Sequence, residues 1–241
     1  GYDLVVQGMG GIPSITGDVS GDPTKCGASI ADLVTGLNAV QGILAALYRR
    51  SVTGEGGVVD VPMIDGQVAL LTYHASSFLN AGVPPRRLGN HHPSIHPYGS
   101  YQASDGHLNV AVGNEKLFRT FAAALGHSEW VDDPRFADNA SRVAHRGELD
   151  PLIEAELIAK PVEHWCALFM EKGVPAGPIN SVEEALGLVE LVEHPHPAGS
   201  GTVKSTPLPY HIEGSTRAST VPPPSLGEHT ADVISEWLGV E

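Results

Sequence analysis

Cysteine is nearly missing from this 241-residue chain: Cys26 and Cys166 stand alone and far apart, with no C-x-x-C pair. That excludes a disulfide framework and suits a reducing compartment, so a cytoplasmic setting is expected. Basic residues are scarce as well. Fourteen Lys and Arg face 28 Asp and Glu, a formal charge of −14, and such a field repels nucleic-acid backbones and anionic lipid. Neither nucleic acid nor membrane is an expected partner. A small anion stays compatible, because a local cluster of donors outweighs the global field within a Debye length of roughly 8 Å. No uninterrupted apolar run reaches the roughly 18 residues of a membrane span, and no basic-then-apolar leader opens the chain. A starting methionine is lacking too, so Gly1-Tyr2-Asp3 reads as the middle of something longer, either a processed product or a fragment. What is present is a globular composition, 41% apolar and 17% charged, enough to bury one sizeable core or two small ones.

Apolar spacing predicts an α/β core followed by a smaller α+β unit, with the boundary near residues 82–97. From Asp32 to Arg50, Leu33, Leu37, Val40, Ile43, Leu44 and Leu47 recur at three and four, the pattern of a buried helix that Thr53-Gly54 stops. Val58 to Val61 reads as a short strand, and Ile64 to Leu79 as one further helix, an order that favours a parallel layer. Prolines and histidines break regularity from Gly82 to Pro97. Beyond it, Tyr98 to Ala103 and His107 to Val112 flank Asp105-Gly106 like a hairpin. Helices are predicted over 115–125, 140–159 and 161–172. Extended pieces follow at 175–178, 189–193 and 201–205, then Pro222-Pro223-Pro224 and a last amphipathic helix from Thr230 to Leu238.

Chemistry could sit where the stretch from Thr24 runs into the helix beginning at Asp32. An Asp there is the usual N-cap, accepting hydrogen bonds from the first free backbone amides. The same geometry also suits a nucleophile, since a helix N-terminus favours a carboxylate and supplies donors to a developing oxyanion. Position alone leaves both readings open.

A series of short motifs bears on the choice. Gly1-Tyr2-Asp3, Gly10-Gly11, Asp22-Pro23-Thr24-Lys25, Ile30-Ala31-Asp32-Leu33-Val34-Thr35-Gly36 and Thr53-Gly54-Glu55-Gly56 stand in the first part of the chain. Arg87-Leu88-Gly89-Asn90, Pro97-Tyr98, Gly173-Val174-Pro175, Gly177-Pro178-Ile179-Asn180 and Leu226-Gly227-Glu228-His229-Thr230 follow in the second. In this order they resemble the C-terminal two-thirds of a class III CoA transferase, the CaiB/BaiF family of formyl-CoA transferase and carnitine-dehydratase-like proteins. The resemblance implies an α/β fold in which part of a Rossmann-like large domain is joined to a smaller α+β domain, in interlocked-ring homodimers. It divides the chain into a large-domain segment 1–65, a linker helix 66–89, a small domain 90–187, a return linker 188–214 and a C-terminal large-domain segment 215–241. The family segment that would precede Gly1, about 130 to 150 residues or roughly a domain's worth, has no counterpart here. It supplies most contacts to coenzyme A, so cofactor-binding residues are unknown, activity is expected only together with that segment, and a companion N-terminal polypeptide is an expected partner.

The resemblance also implies that Asp32 is a catalytic nucleophile that carries first the acyl group and then CoA, as an aspartyl-CoA thioester, while CoA moves between an acyl-CoA, such as succinyl-CoA, and a free carboxylic acid. No tightly bound cofactor and no metal are implied. Tyr2 stands where related racemases of 2-methylacyl-CoA carry a histidine base. With an ordinary pKa about 3.5 units above that of histidine, it is a poorer base and a better hydrogen-bond donor. The alternatives are an isomerase of that type and a non-catalytic fragment or subunit. His92 and Ser94, in a His- and Pro-rich bend, are candidate contacts to the acceptor carboxylate. His92 and His96 are spaced like metal ligands, yet prolines flank them and no third ligand is evident. Arg86-Arg87 reads as a solvated basic turn or an anion contact, Asp60 and Asp65 as exposed or capping, and Cys166 as core.

Overall fold

The computed structural model describes residues 1–196, 201–215, 222 and 224–239, which fall into two units, Gly1–Pro178 and Ile179–Glu241. In the first, the expected hairpin forms as β1 (Tyr98–Gln102) and β2 (His107–Ala111), antiparallel, with Gln102 opposite His107. β3 (Ala176–Pro178) pairs with the other edge of β2, also antiparallel. Alternation along these strands turns Tyr101, Leu108 and Val110 inward.

Helices cover that face. α6 (Glu115–Ala124) begins at Asn114, whose side chain accepts the Leu117 amide, and buries Phe118 and Phe121. The helix expected over 140–159 is two, α7 (Asn139–Ala144) and α8 (Arg146–Leu157), because His145 between them leaves helical geometry. α9 (Val162–Lys172) adds Trp165 and Phe169, and the Trp165 indole donates to the Leu157 carbonyl at 2.7 Å. Cys166 packs against this core as expected, and burial pushes its thiol pKa up. Each large side chain so buried contributes roughly 1.5–3 kcal/mol.

Residues before the hairpin build α1 (Asp3–Met9), α2 (Ile12–Ile15), α3 (Ile30–Thr53), α4 (Met63–Ala69) and α5 (Thr72–Ala81). Here three expectations fail. The stretch Val58 to Val61 has no regular structure and joins no sheet, and every sheet among the described residues is antiparallel, so a parallel layer is not seen. The single helix over 64–79 breaks at Leu70-Leu71, where amide bonds of Leu70 to Gln67 and Leu71 to Val68 tighten the turn and Thr72 takes a φ of 42°. Most tellingly, the predicted buried helix exists but is uncovered: Leu33, Leu37 and Leu44 are about three-fifths exposed, and Ala31 is the one buried residue of α3. Periodicity records a face meant for burial, not the element that buries it. Contrary to the reading of short apolar runs, α3 is long and apolar enough, by length and composition alone, to cross a membrane. Within the chain it packs against α1 and α4.

The second unit contains α10 (Val182–Leu186), started by a capping box between Ser181 and Glu184, and α11 (Thr230–Leu238). β4 (Val192–Pro195) and β5 (Thr202–Ser205) pair antiparallel. β4 lies slightly later than the expected 189–193. The reading of Pro223 falls outside the described residues.

Candidate active site and the loop of histidines

Asp32 is not an N-cap. α3 starts at Ile30, so Asp32 is its third residue, exposed and still within the first turn, where the helix dipole favours negative charge. Ser29, at the cap position, makes no side-chain cap bond. The capping is done by Asp3, whose Oδ1 accepts the Ala31 amide at 2.9 Å. Its Oδ2 accepts from the Gln7 amide nitrogen at 2.8 Å. Gln7 is fully buried, and its Oε1 accepts the Cys26 amide at 2.9 Å while its Nε2 also reaches the Ala28 carbonyl at 3.3 Å. One acid and one amide on successive turns of α1 thus fix the chain just before Asp32. Tyr2 precedes Asp3 at the α1 N-cap position and is 85% exposed. The structure therefore brings Tyr2 and Asp32 to one junction, through the bond between the residue after the first and the residue before the second. Asp3 and Gln7 went unrecognised in the sequence, where their only signal is an i, i+4 spacing on a short helix.

His92 and Ser94 lie elsewhere in the same unit. No hydrogen bond, ion pair or ring contact joins them to Tyr2 or Asp32 among the described residues. The His92 ring sits between Tyr73 and Tyr98, both at 5.2 Å, and its Nδ1 accepts the Ser94 amide at 3.1 Å. Burial, then His74 and Arg146, lower its pKa, so it is neutral near pH 7. The Ser94 carbonyl accepts from Asn139 at 2.8 Å, and the Ser94 side chain is exposed. Arg87, read as an open basic turn, is instead a staple, donating to the carbonyls of Asp18 at 3.2 Å and Gly21 at 2.7 Å. Arg86 makes no such bond and is exposed. Asp60 and Asp65 are exposed, the latter in the first turn of α4.

A third ligand for His96 does exist, contrary to expectation, and its companion is His91 rather than His92. Ligand atoms of His91, His96 and Asp150 lie within 4.8 Å of one another. His96 is fully buried, and burial, then Arg146, lower its pKa to about 3. Arg146 donates through Nε to His96 Nδ1 at 3.3 Å. A neutral imidazole whose Nδ1 accepts must carry its proton on Nε2, and Nε2 faces Asp150 Oδ1 at 3.3 Å, near enough for a hydrogen bond but misaligned for one. That tautomer occupies the nitrogen a metal would need, and a guanidinium as the outer partner opposes a cation. The cluster reads better as a buried polar network that anchors the 91–96 loop to α8.

With this geometry in place the comparisons decide the family. CoA-transferase family III matches residues 1–230. The chain belongs to that family. Family III relatives include the succinate–glutarate CoA-transferase of Agrobacterium fabrum, 39% identical over 259 residues, covering all of this chain and 62% of the relative. The acetyl-CoA:oxalate CoA-transferase of Acetobacter aceti is 35% identical over 242 residues, again covering all of this chain and 62% of the relative. A CAIB/BAIF family protein from Brucella suis superposes with a TM-score of 0.78 at 35% identity, over 98% of this chain and 62% of that one. This family III chain therefore spans less than two-thirds of the length of these relatives, and its mixed helix and sheet architecture is that of the CaiB/BaiF fold.

Proposed function

We propose that this chain carries the reacting carboxylate of an enzyme that transfers CoA between two short carboxylic acids, succinyl-CoA and a second dicarboxylate in particular. The observation that carries the reading is Asp32: exposed, in the first turn of a 24-residue helix, and reached from Tyr2 through the Asp3–Ala31 bond. Relatives named for succinate, glutarate and citramalate transfer support the choice of acids.

In this mechanism Asp32 attacks the thioester carbonyl, forming an acyl-aspartyl anhydride and expelling CoA thiolate. The thiolate then attacks the aspartyl carbonyl, giving an aspartyl-CoA thioester and releasing the donor acid. The acceptor carboxylate attacks that thioester, and thiolate takes the new acyl group, which restores Asp32. Anhydride and thioester are similarly activated, so the protein has to position partners, stabilise oxyanions and exclude water. Tyr2 would donate a hydrogen bond to substrate, and a tyrosine in place of a histidine base weighs against the racemase alternative. His92 and Ser94 would approach the acceptor acid.

The same reading assigns residues 1–65 and 215–241 to a Rossmann-like large domain and 90–187 to the small one, in an interlocked dimer. The exposed apolar side of α3 supports a missing cover, an N-terminal polypeptide that also supplies the CoA site and without which the chain is inactive. We place the protein in the cytoplasm, without membrane or nucleic-acid partners and without a resident metal.

Intact mass spectrometry of the native protein after incubation with succinyl-CoA, with hydroxylamine as the trap, tests the central claim. Label at Asp32, lost in Asp32→Asn, and a copurifying N-terminal chain are expected; an unlabelled 25.3 kDa chain alone would mean a non-catalytic fragment.

A further inference from the structure

A cavity of about 640 Å³ opens between α5, the Val83–Leu88 segment, the Pro93-Ser94 bend and the junction of α7 with α8. Its polar lining comprises Tyr73, His74, Ser77, Arg86, Ser94 and Arg146, and no carboxylate lines it. Two guanidiniums without an acid at one concavity are unexpected in a chain of net charge −14.

The two arginines differ in how they are held. Arg146 donates to the His92 carbonyl through Nη2 at 2.7 Å and to buried His96 through Nε, which fixes its plane and leaves Nη1 uncommitted. A guanidinium has five N–H donors in a rigid fork, so the remainder form a preorganised pair for a planar oxyanion. Asp150 is near enough to temper its charge, although that carboxylate does not line the cavity. Arg86 is exposed and has no hydrogen bond or ion pair among the described residues. His74 and His92 have pKa values lowered by burial, so the fixed positive charge here belongs to the arginines.

We infer that this cavity binds a short aliphatic dicarboxylate, one carboxylate on the fixed fork of Arg146 and the other drawn by Arg86, with Ser94 as an additional donor. Apolar Val83, Leu88 and Val143 line the space between and suit the methylene chain. Its role as the seat of an acceptor acid rests on the transferase reading; binding itself does not.

Titration of the native protein with glutarate, followed by NMR and by thermal shift, tests this without any turnover. Saturable glutarate binding is expected, with butyrate at least tenfold weaker because one charge pair is lost. Arg86→Gln, at an exposed and unbonded position, should weaken glutarate several-fold with no change in melting temperature of the free protein. Arg146→Lys should weaken it more, since a point charge replaces a fork. If glutarate binds no better than butyrate, or if both variants bind it as the native protein does, the inference is overturned. Arginine-dependent binding with no label on Asp32 keeps the site and removes the transferase reading; label on Asp32 with arginine-independent binding does the reverse.

Discussion

Arg142 is fully buried, whereas its carboxylate partner Glu115 keeps 45% of its side chain in water. The two bonds of this pair, 2.9 Å from Nη1 and 3.1 Å from Nη2, bring a solvated acid against an interior cation. The rest of the guanidinium is used on the carbonyls of His96 at 2.8 Å and Phe136 at 3.0 Å, over the ring of Phe118. One side chain thereby ties α6, α7 and the histidine loop together.

Removing it leaves those acceptors without a donor in the interior. Arg142→Met should cost about 1–3 kcal/mol for each orphaned carbonyl, of His96 and of Phe136, while solvated Glu115 adds little. Urea denaturation followed by tryptophan fluorescence checks this; a change under about 1 kcal/mol, below the least cost of one orphaned acceptor, would mean Arg142 is structurally idle.

Acid should weaken the fold in two steps. His96 is neutral when folded, with a pKa near 3, but ordinary when unfolded, so between pH 6.5 and about 3 only the unfolded chain takes up that proton. Stability is then complete above pH 6.5 and falls by up to about 1.4 kcal/mol per pH unit below it. Asp150, raised by burial, opposes this over its own titration. Glu115 is lowered by its hydrogen bond from Arg142, so its contribution is lost as pH falls below the ordinary carboxylate range. His96→Gln should flatten the first slope in urea melts across pH, and an unchanged slope would assign it to another group.

The Asp3–Gln7 clasp should act on rate more than on binding. Gln7→Ala frees the Cys26 amide and loosens the approach to Asp32, so succinyl-CoA should label Asp32 more slowly while its half-saturating concentration changes little. An equal loss in both would make Gln7 a general stability residue.

Close packing between α1 and α4 gives a pair with opposite signs. A Cβ at Gly10 would overlap the Gln67 side chain, and Gly10→Ala should destabilise by about 1–3 kcal/mol. Gln67 is buried with both side-chain polar atoms unpartnered, so Gln67→Met should stabilise by about 1 kcal/mol. Thermal melts of both variants test the arrangement; a loss in Gln67→Met would mean that the amide is satisfied after all.

Chelation should leave melting temperature and Asp32 labelling unchanged, since the His96 tautomer disfavours a metal at His91, His96 and Asp150. A stability loss on EDTA treatment, restored by zinc, would reverse that assignment.

The hairpin, α6 and α9 were legible because turn chemistry, caps and apolar period all act within a few residues, whereas the break at His145 between α7 and α8 left no such signal. Burial of α3 was not, because the period of Leu33, Leu37 and Leu44 carries no record of its cover. Val58 to Val61 has strand composition but no strand beside it among the described residues. Asp32 stands out in the sequence only through the order of motifs around it, while Asp150 was missed because 54 positions separate it from His96 and only the fold brings them together. Arg87 looked like a free charge for the same reason: its acceptors are backbone carbonyls of a distant loop.

The bare flank of α3 and the carboxylate of Asp32 occupy one helix. Any surface that shields those leucines from water would also steady the rod on which that acid stands, and amide exchange along α3 would report both.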